Sequence, residues 1–591
     1  MTSRIIPQNS VYDVATFTLL SDGKDITNRY AVLSLSVNRE VNRIPSARII
    51  LRDGSAADET FAASDSDDLI PGKELEIALG YDGNDQTVFR GVVIKHGLKL
   101  APNGDSMLTV DCKDRAVGLT ISRRSRHFKD VKDSEAIATI IKDHSGISPK
   151  LEATRVKHQE IVQYYSTDWD FILSRAEMNG QVVLVKDGII QVQTPTTSGS
   201  PLITLTYGAN ILEIETEMDA RYQYQAVNAK SWSCADQTLL EVNGKEPTVN
   251  SQGNLSGKKL AQVTRVKELE LRHGGFVNIQ ELQEWADAQM LKSRLSKIQG
   301  RIKTKGYRAA KPDALIELAG MGSRFNGLAY VSGVRHELVG GAWQTHLQVG
   351  LNPQWFYREE GIVESPASGL LPGVSGLQIG VAVQLQDDPT KEFRVLVKSP
   401  IINDKADTSI WARVATLDAG NNRGTFFRPE IGDEVLLGFI NDDPRHPVIL
   451  GMLNSSKNPA PLQPIDPNHE KGFITRSGMK VLFDDENKVM TLETPGGNKV
   501  VISDKEKGIT LTDQHTNTVT LDDKGISLKS PKDIVLEATG KLTLKAVQDA
   551  SLEGMNVKVN AQSQFKAQGN AGAEVSTSAI AVLKGSLVQI N

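Results

Sequence analysis

Cysteine is nearly absent from this chain of 591 residues, since Cys112 and Cys234 are the only two. Two cysteines exclude a disulfide-rich scaffold and any metal cluster held by thiolates alone. Aromatic residues make up 5% of the chain, whereas glycine occurs 49 times. This balance favours short strands joined by tight turns over the large mixed cores typical of α/β enzymes.

Long apolar runs and a strong excess of one charge are also missing. No stretch approaches ~18 consecutive apolar residues, so the sequence predicts no transmembrane helix. The N-terminus lacks the apolar run of a secretory signal peptide. The net charge of −5 argues against nucleic acid as a partner. We therefore expect synthesis in the cytoplasm without a signal peptide, and export by another route.

Strand patterns dominate residues 1–357. Apolar and polar residues alternate over Ala31 to Val37. The strand patterns Leu75 to Tyr81 and Thr87 to Val93 flank a turn that contains Asp82-Gly83, which predicts a hairpin. The first region is therefore expected to be mainly β.

Three helices are predicted among these strands, near Ser134 to His144, from Thr167 to Gly180, and from about Ile279 to Lys297. The second helix has the clearest boundary signals. Thr167 can cap its first turn with Asp170 three residues later, and Gly180 can end it.

Residues 358–376 have no periodicity and are rich in Gly, Pro and Ser, which indicates a linker. Residues 377–456 contain strand patterns separated by Gly-, Asp- and Pro-containing turns. These patterns are Ile379 to Leu385, Phe393 to Val397, Ile410 to Ala415, Glu434 to Ile440 and Val448 to Leu453. Five short strands of this kind predict a small barrel of the OB type. A second, Pro-rich linker occupies residues 457–470.

The strongest pattern is an internal repeat within residues 471–591. Apolar pairs separated by one residue recur at Ile526/Leu528, Ile534/Leu536, Leu542/Leu544, Ala550/Leu552, Val557/Val559, Phe565/Ala567, Ala573/Val575, Ile580/Val582 and Val588/Ile590. The steps between first members are 8, 8, 8, 7, 8, 8, 7 and 8 residues. Upstream, Ile509/Leu511 and Val519/Leu521 have the same form with looser spacing. Each unit is interpreted as one short strand followed by a turn.

A ladder of short strands at this period indicates a β-solenoid or prism, because one strand cannot bury its apolar side alone. The spacing fits one chain that coils by itself and equally three chains that wind together. A disordered polar tail is the alternative, since Lys, Ala, Gln and Ser are abundant here. The constant register of the apolar pairs favours the ordered structure.

We predict that the apolar pairs point inward and form a narrow core, while residues such as Lys545 point outward. The predicted core residues are Ile526, Leu528, Ile534, Leu536, Leu542, Leu544, Leu552, Val557, Val559 and Val588.

Residues with catalytic or metal-binding chemistry form no recognisable motif. The ten histidines lack the H-x-x-x-H or H-E-x-x-H spacing of a metal site. Asp484-Asp485 and Asp522-Asp523 are adjacent carboxylates, but each pair lies in a predicted turn and is interpreted as solvated. Arg123-Arg124-Ser125-Arg126 is interpreted as a solvated face or as a set of salt-bridge partners in an oligomer. We predict no catalytic residue, no cofactor and no metal site.

Several segments resemble the VgrG-type central spike proteins of contractile injection systems, which include type VI secretion systems, phage-tail-like particles and contractile phage baseplates. Tyr165 to Glu177, YSTDWDFILSRAE, looks like the family's hub helix, and Phe325 to His336 looks like its closing hub strands. Gly424 to Phe439, GTFFRPEIGDEVLLGF, and Asp443 to Gly451 resemble its OB-domain signature. The resemblance covers the chain in the order hub, OB domain and β-prism.

The resemblance implies a mainly β fold. Residues 1–357 would form a hub of two β-barrel domains with a few helices, followed by the OB-type barrel, and residues 471–591 would form a trimeric β-helix or prism that serves as a needle. It also implies a homotrimer that docks the inner tube protein and baseplate components and punctures the target envelope mechanically. A PAAR-like protein would sit at the tip, and effectors would travel as separate chains. The particle would act outside the producing cell or in a target cell.

Some relatives insert a lysozyme domain before the prism or append a toxin after it. Neither is expected here, because residues 454–470 are too few for an enzyme and the sequence stops at Asn591. The predicted platform for the cap protein is formed by Leu587, Val588, Gln589, Ile590 and Asn591, where strand ends would leave unpaired backbone groups.

The alternative function is a β-helical polysaccharide-degrading tail-spike enzyme. That function would need charged residues that converge on one face of the prism, and the outward positions show no such cluster. A solenoid adhesin is disfavoured because it would require a secretion signal.

Overall fold

A computed structural model of the chain describes residues 14–101, 106–358, 361–400 and 409–590. It contains two compact units, Met1–Gly451 and Met452–Asn591. The fold is mainly β, as predicted, and the helices that the described residues form all lie in the first unit.

The first seven strands build one half of a large sheet. They are β1 (Ala15–Ser21), β2 (Lys24–Asp25), β3 (Ala31–Glu40), β4 (Ser46–Arg52), β5 (Glu74–Tyr81), β6 (Gln86–Leu100) and β7 (Ser106–Lys113). β5 and β6 form the predicted hairpin, and its turn places Asp82 and Gly83 at φ 54° and 77°. Two successive positive φ angles match the twist of the flanking strands, which explains the Asp-Gly pair.

The next segment combines two helices with short strands. Its elements are β8 (Arg123–Lys132), α1 (Asp133–Lys142), β9 (Ser148–Leu151), β10 (Lys157–Thr167), α2 (Asp168–Met178), β11 (Val182–Lys186) and β12 (Ile189–Gln193). α2 begins as predicted, because the Thr167 hydroxyl accepts a hydrogen bond from the Asp170 backbone N–H at 3.0 Å. Gly180, at φ 66°, lies just beyond its end.

The following elements complete the large sheet. They are β13 (Thr204–Thr206), β14 (Ile211–Met218), β15 (Val227–Ser233), β16 (Thr238–Asn243), α3 (Gly257–Ala261), β17 (Leu269–His273), α4 (Ile279–Leu295), β18 (Ile298–Lys305), β19 (Ala314–Ala319), β20 (Gly327–Val339) and β21 (Ala342–Val349). α4 is the third predicted helix, whereas the short α3 has no predicted counterpart. α4 packs against the three-stranded sheet β16-β15-β17 through Leu282, Ala286 and Met290.

The large sheet has thirteen strands in the order β14-β18-β21-β20-β3-β4-β7-β6-β5-β1-β2, with β13 paired to β19 and β19 paired to β20. One apolar core contains Ile49 and Leu75, and a second contains Ile302 and Val334. β20 pairs directly with β3. The region predicted to contain two barrel-like domains therefore has two cores on one continuous sheet.

A closed five-stranded barrel follows. Its strands are β22 (Gln378–Gln384), β23 (Val395–Lys398), β24 (Ile410–Val414), β27 (Glu434–Phe439) and β28 (Pro447–Met452), and the small hairpin β25 (Ala419–Gly420) and β26 (Arg423–Gly424) lies between β24 and β27. Each strand agrees with its predicted bounds to within two residues. Val395, Ala412 and Leu437 are fully buried inside it.

The second unit begins with an antiparallel meander. Its strands are β29 (Glu470–Ile474), β30 (Lys480–Asp484), β31 (Val489–Glu493), β32 (Lys499–Ser503), β33 (Gly508–Thr512), β34 (Thr518–Asp522) and β35 (Gly525–Lys529). Residues 530–590 form no strand within the described chain. Within the described residues, this part of the chain therefore shows no solenoid built from one chain alone.

Candidate functional site: the apolar repeat of the second unit

One face of the meander carries two apolar columns. In the first, each residue lies opposite the next across the strands, in the order Leu492, Val500, Leu511, Val519 and Leu528. The second column consists of Met490, Ile502, Ile509, Leu521 and Ile526. Because side chains alternate along a strand, both columns project from the same side of the sheet.

No element of the described second unit covers this face. A groove of about 850 Å³ runs along the first column, and Ile534 and Leu536 of the following segment line it together with Leu528. Leu492 and Leu511 remain 43% and 40% exposed. Burial of such side chains contributes ~25 cal/mol per Å² of apolar surface. A partner that covers the groove would therefore stabilise the unit.

The predicted core residues lie at the surface of the single chain. Their exposed fractions run from 50% for Val588 to 82% for Leu544. The chain brings Ile526 and Leu528 into β35, and Ile534 lies beside the groove. Leu536 also lines the groove, and the other predicted core residues belong to no strand among the described residues. A core built from them requires further chains.

The backbone of residues 530–590 points to the same requirement. Within the described chain its hydrogen bonds are confined to local turns, such as the one from the Ala579 N–H to the Thr577 hydroxyl. Apolar residues at strand-like spacing pair in a ladder only when neighbouring strands are available. Equivalent strands from other copies would supply both the ladder and the missing apolar contacts.

The predicted tip platform is likewise uncovered. Leu587, Val588 and Ile590 are exposed, and so is Gln589 between them. Asn591 lies outside the described residues.

The arginine cluster is only partly the solvated face that the sequence predicts, because Arg124 and Ser125 are exposed whereas Arg123 and Arg126 are engaged within the chain. The Arg123 guanidinium donates hydrogen bonds to the carbonyl oxygens of Gly361 at 2.6 Å and Ile362 at 2.9 Å, and it lies 3.2 Å from the Glu364 carboxylate. Arg126 forms an ion pair with Asp143. Arg123 is engaged by carbonyl and carboxylate partners from a segment distant in sequence, 239 residues away in the case of Ile362, whereas Asp143, an ion-pair partner of Arg126, lies 17 residues along the chain. Arg123 thereby holds the start of the predicted linker against β8.

A buried ionic cluster lies between α1, α2, α4 and β10. Asp133 accepts hydrogen bonds from Arg175 Nε at 2.6 Å and is 3.0 Å from His158 Nε2, and Arg175 also reaches Glu281 at 3.0 Å. Burial opposes the ionisation of Asp133, but His158 and Arg175 outweigh it and hold the pKa of this carboxyl well below its usual value. All four groups are satisfied by one another, which suits a structural role in joining these elements.

The carboxylate pairs behave as turn residues. Asp484 accepts hydrogen bonds from the backbone and side chain of Asn487, and Asp522 accepts one from the Lys524 backbone. In the described ranges, no group of three or more His, Cys, Asp or Glu side chains is arranged to hold a metal ion. Among the same residues, no helix has both the length and the apolar character needed to span a membrane.

The apolar face extends further towards the N-terminus than the repeat of apolar pairs with steps of 7 or 8 residues indicates. Val481/Phe483, Met490/Leu492 and Val500/Ile502 belong to the same columns. Their first members are separated by 9 and 10 residues. The longer turns of the meander cause this wider step. A search for alternating apolar and polar residues, without a fixed period, would have identified these three pairs in the sequence.

Three family models match the chain. The model for the Alg8 N-terminal domain matches residues 11–340, more than half of the chain. The model for the type VI secretion system/phage-baseplate injector OB domain matches residues 378–453. The model for the phage baseplate V C-terminal trimerisation domain matches residues 489–591, which include the unpaired repeat.

Two curated proteins align over short segments. The type VI secretion system spike protein VgrG3 of Vibrio cholerae is 36% identical over 75 residues, which is 13% of this chain and 7% of that protein. The type VI secretion system spike protein VgrG5 of Pseudomonas aeruginosa is 40% identical over 57 residues, 10% of this chain and 7% of that protein. The aligned segments thus span less than a tenth of either relative.

Solved structures show a partial likeness. A tail protein from Neisseria meningitidis is 17% identical with a TM-score of 0.44, covering 58% of this chain and 98% of that one. The E. coli c3393 protein, a component of the type VI secretion system, is 12% identical with a TM-score of 0.37, covering 74% of this chain and 99% of that one.

Proposed function

This chain belongs to the family of the Alg8 N-terminal domain and is a VgrG-type spike protein, and from this premise we propose that it forms the hub and needle of a contractile injection particle. Three copies would assemble around the needle axis. The hub would dock the inner tube and the baseplate, and the needle would puncture the target envelope when a sheath contracts.

The observation that carries this proposal is the unpaired apolar repeat. Its apolar pairs keep one register from Ile526 to Ile590, yet they remain exposed in a single chain. Three intertwined chains would bury the pairs around an axis and leave no lateral strand edge exposed. A rigid rod of this kind transmits force along its length, which is what a puncturing needle needs.

We place a separate cap protein on the tip platform, Leu587 to Asn591. Three copies of Leu587 and Ile590 would present apolar side chains at one end of the rod, and such a surface is suited to docking a small conical PAAR-like protein. Deletion of residues 587–591 is expected to abolish capture of the cap protein in a pull-down while the trimer remains assembled. Undiminished capture by the deleted protein would contradict the platform.

In this proposal the protein does no chemistry on its target, and effectors travel as separate chains. The enzymatic alternative can be checked by incubating the protein with cell-wall and capsular polysaccharides. We expect no release of reducing ends, and sustained release would favour the tail-spike enzyme.

The place of the protein in a particle tests the function directly. Injection particles would be purified from producing cells and labelled with antibodies against the hub. We expect label at one end of the tube, at the baseplate. Label along the whole tube, or particles that assemble normally without this chain, would contradict the proposal.

A further inference from the structure

The three-stranded sheet β16-β15-β17 has an outer face that carries an exposed tryptophan. α4 packs against the inner face, where Val227, Ala229 and Val242 are buried. Because side chains alternate along a strand, Trp232 of β15 and Leu239 of β16 project to the outer face, where they lie directly opposite each other. Trp232 is 39% exposed and Leu239 is 61% exposed.

Trp232 differs from the other tryptophans of the chain. The sequence contains six, all within the described ranges, and Trp232 is the one that the structure leaves exposed. Tryptophan is highly buried on average, because its indole ring carries a large apolar surface. An exposed indole held on a sheet presents a flat apolar ring to a ligand.

The end of β17 leaves open space beside this ring. The strand ends at His273, and Gly274 and Gly275 follow it. The Trp232 backbone N–H donates a hydrogen bond to the Gly275 carbonyl oxygen at 3.3 Å, which holds the glycine pair next to Trp232. A Cβ placed on Gly274 would meet no atom within 4 Å. Since neither position carries a side chain, a ligand can lie along the backbone there.

Charged side chains of the same face hold one another in place. Lys230 lies opposite Glu241 on one side and opposite Arg272 on the other. Its Nζ is 3.0 Å from the Glu270 carboxylate and 3.8 Å from that of Glu241. Arg272 Nη2 donates a hydrogen bond to Glu270 at 2.6 Å. The two cations balance the two carboxylates, and carboxylate and guanidinium groups have further positions for hydrogen bonds to a ligand.

This composition fits a sugar chain better than a protein surface. A stable protein interface buries about 800 Å² on each side around a core depleted of charge. Here the exposed apolar residues are Trp232 and Leu239, with Phe276 directly after the glycine pair, and mutually paired ions lie beside them. A hexopyranose ring presents C–H groups on one side and hydroxyl groups at its rim, which match an aromatic ring flanked by fixed polar groups. The balanced charge favours a neutral sugar over an anionic one.

We propose that the outer face of β16-β15-β17 binds a neutral polysaccharide chain. One hexopyranose ring stacks on Trp232, and its hydroxyl groups donate to the Glu241 carboxylate and accept hydrogen bonds from the Arg272 guanidinium. The site lies within one chain, so it depends neither on the needle nor on a trimer. It goes beyond the proposed function, because it gives the hub an affinity for carbohydrate.

Acrylamide quenching of tryptophan fluorescence tests the site in the full-length protein. Trp232 should dominate the quenched signal, since it is the exposed tryptophan. The neutral probes are cellotetraose, chitotetraose, mannotetraose and galactotetraose, and tetragalacturonic acid is the anionic probe. We expect a neutral probe to protect Trp232 from acrylamide in a saturable manner, and the anionic probe to bind more weakly. Protection by none of the neutral probes, or tighter binding of the anionic one, would overturn the site.

Two substitutions locate the binding, which titration calorimetry measures. Trp232→Ala is expected to weaken it by about tenfold or more, because the central aromatic contact is lost. Arg272→Ala changes a side chain that is 71% exposed, so it should leave the fold intact and weaken binding as well.

The matched control is Tyr164→Ala, because Tyr164 is an exposed aromatic residue of a different sheet, β10-β8. It should bind the probe like the natural protein. Undiminished binding by Trp232→Ala or by Arg272→Ala would overturn the site, and so would an equal loss in Tyr164→Ala.

Discussion

His336 shows how one buried residue of the hub sheet can confer sensitivity to acid. It lies on β20, 1% exposed, with Nδ1 3.1 Å from the Thr345 hydroxyl and its ring 5.8 Å from that of Trp343. Burial, together with the nearby positive charge of Arg39, lowers the pKa of His336 to about 3. The neutral ring is therefore the form that the folded hub accommodates.

The stability of the hub should depend on pH through this residue. The pKa of His336 is lower in the folded chain than the ordinary 6.5, so its contribution is fully present above pH 6.5 and is lost as the pH falls towards 3. We expect His336→Phe to lose less stability than the natural protein between pH 7 and pH 4, although it forfeits ~1 kcal/mol at pH 7 with the Thr345 hydrogen bond. Denaturant unfolding of both proteins at the two pH values measures this.

The exposed His127 provides the control for that comparison. His127→Phe should follow the natural protein at both pH values. Equal losses for the natural protein and His336→Phe would show that His336 does not set the acid response.

Arg123 is expected to protect the start of the linker from proteases by holding it in place. Arg123→Ala removes the hydrogen bonds to Gly361 and Ile362 and the ion pair with Glu364. Charge-assisted hydrogen bonds of this type contribute ~1.5–3 kcal/mol each, so the segment should open locally. We expect limited proteolysis near residues 361–364 to become faster by an order of magnitude or more.

Arg124→Ala is the matched substitution, because Arg124 makes a longer contact, 3.9 Å to the Asp168 carboxylate. Its cleavage rate should stay near that of the natural protein. Similar rates for the two alanine variants would show that Arg123 does not hold the segment.

At the scale of the element, the repeat predicts a sharp difference between adjacent residues. Leu544→Asp would place a carboxylate in the core of a three-chain prism, whereas Lys545→Asp would change an outward position. An unpaired buried carboxylate costs several kcal/mol, and each trimer would contain three at one level. We expect Leu544→Asp to lower the melting temperature of the C-terminal β signal strongly and Lys545→Asp to change it little.

The single chain makes this comparison decisive, because both residues are exposed in it. Equal, small effects of the two substitutions would mean that the repeat stays unpaired in solution. Equal, large effects would mean that the assignment of inward and outward positions is wrong.

The elements that depend on local signals were predictable from the sequence. The barrel strands and α2 are marked by alternation, turn residues and a capping threonine, and these act within a few residues of one another. The engagement of Arg123 was not predictable, because its partners are more than two hundred positions away in the chain. The repeat of apolar pairs indicates a ladder of strands, but the sequence pattern does not say whether the neighbouring strand in that ladder comes from the same chain or from another copy.

At the scale of the whole molecule, the central claim is that one chain alone cannot complete its C-terminal sheet or bury its apolar residues. The meander is hydrogen-bonded within the chain, yet its apolar columns are uncovered. In the part of the chain that the structure describes, the repeat beyond the meander has no partner strand. Association with copies of itself satisfies both deficits at once, since identical strands carry identical spacing.

The mass of the full-length protein in solution tests this claim most directly. Multi-angle light scattering is expected to give three times the chain mass of 64.4 kDa. The mass should not change on dilution, because intertwined chains separate only by unfolding. A stable monomer with an intact C-terminal β signal would contradict the account.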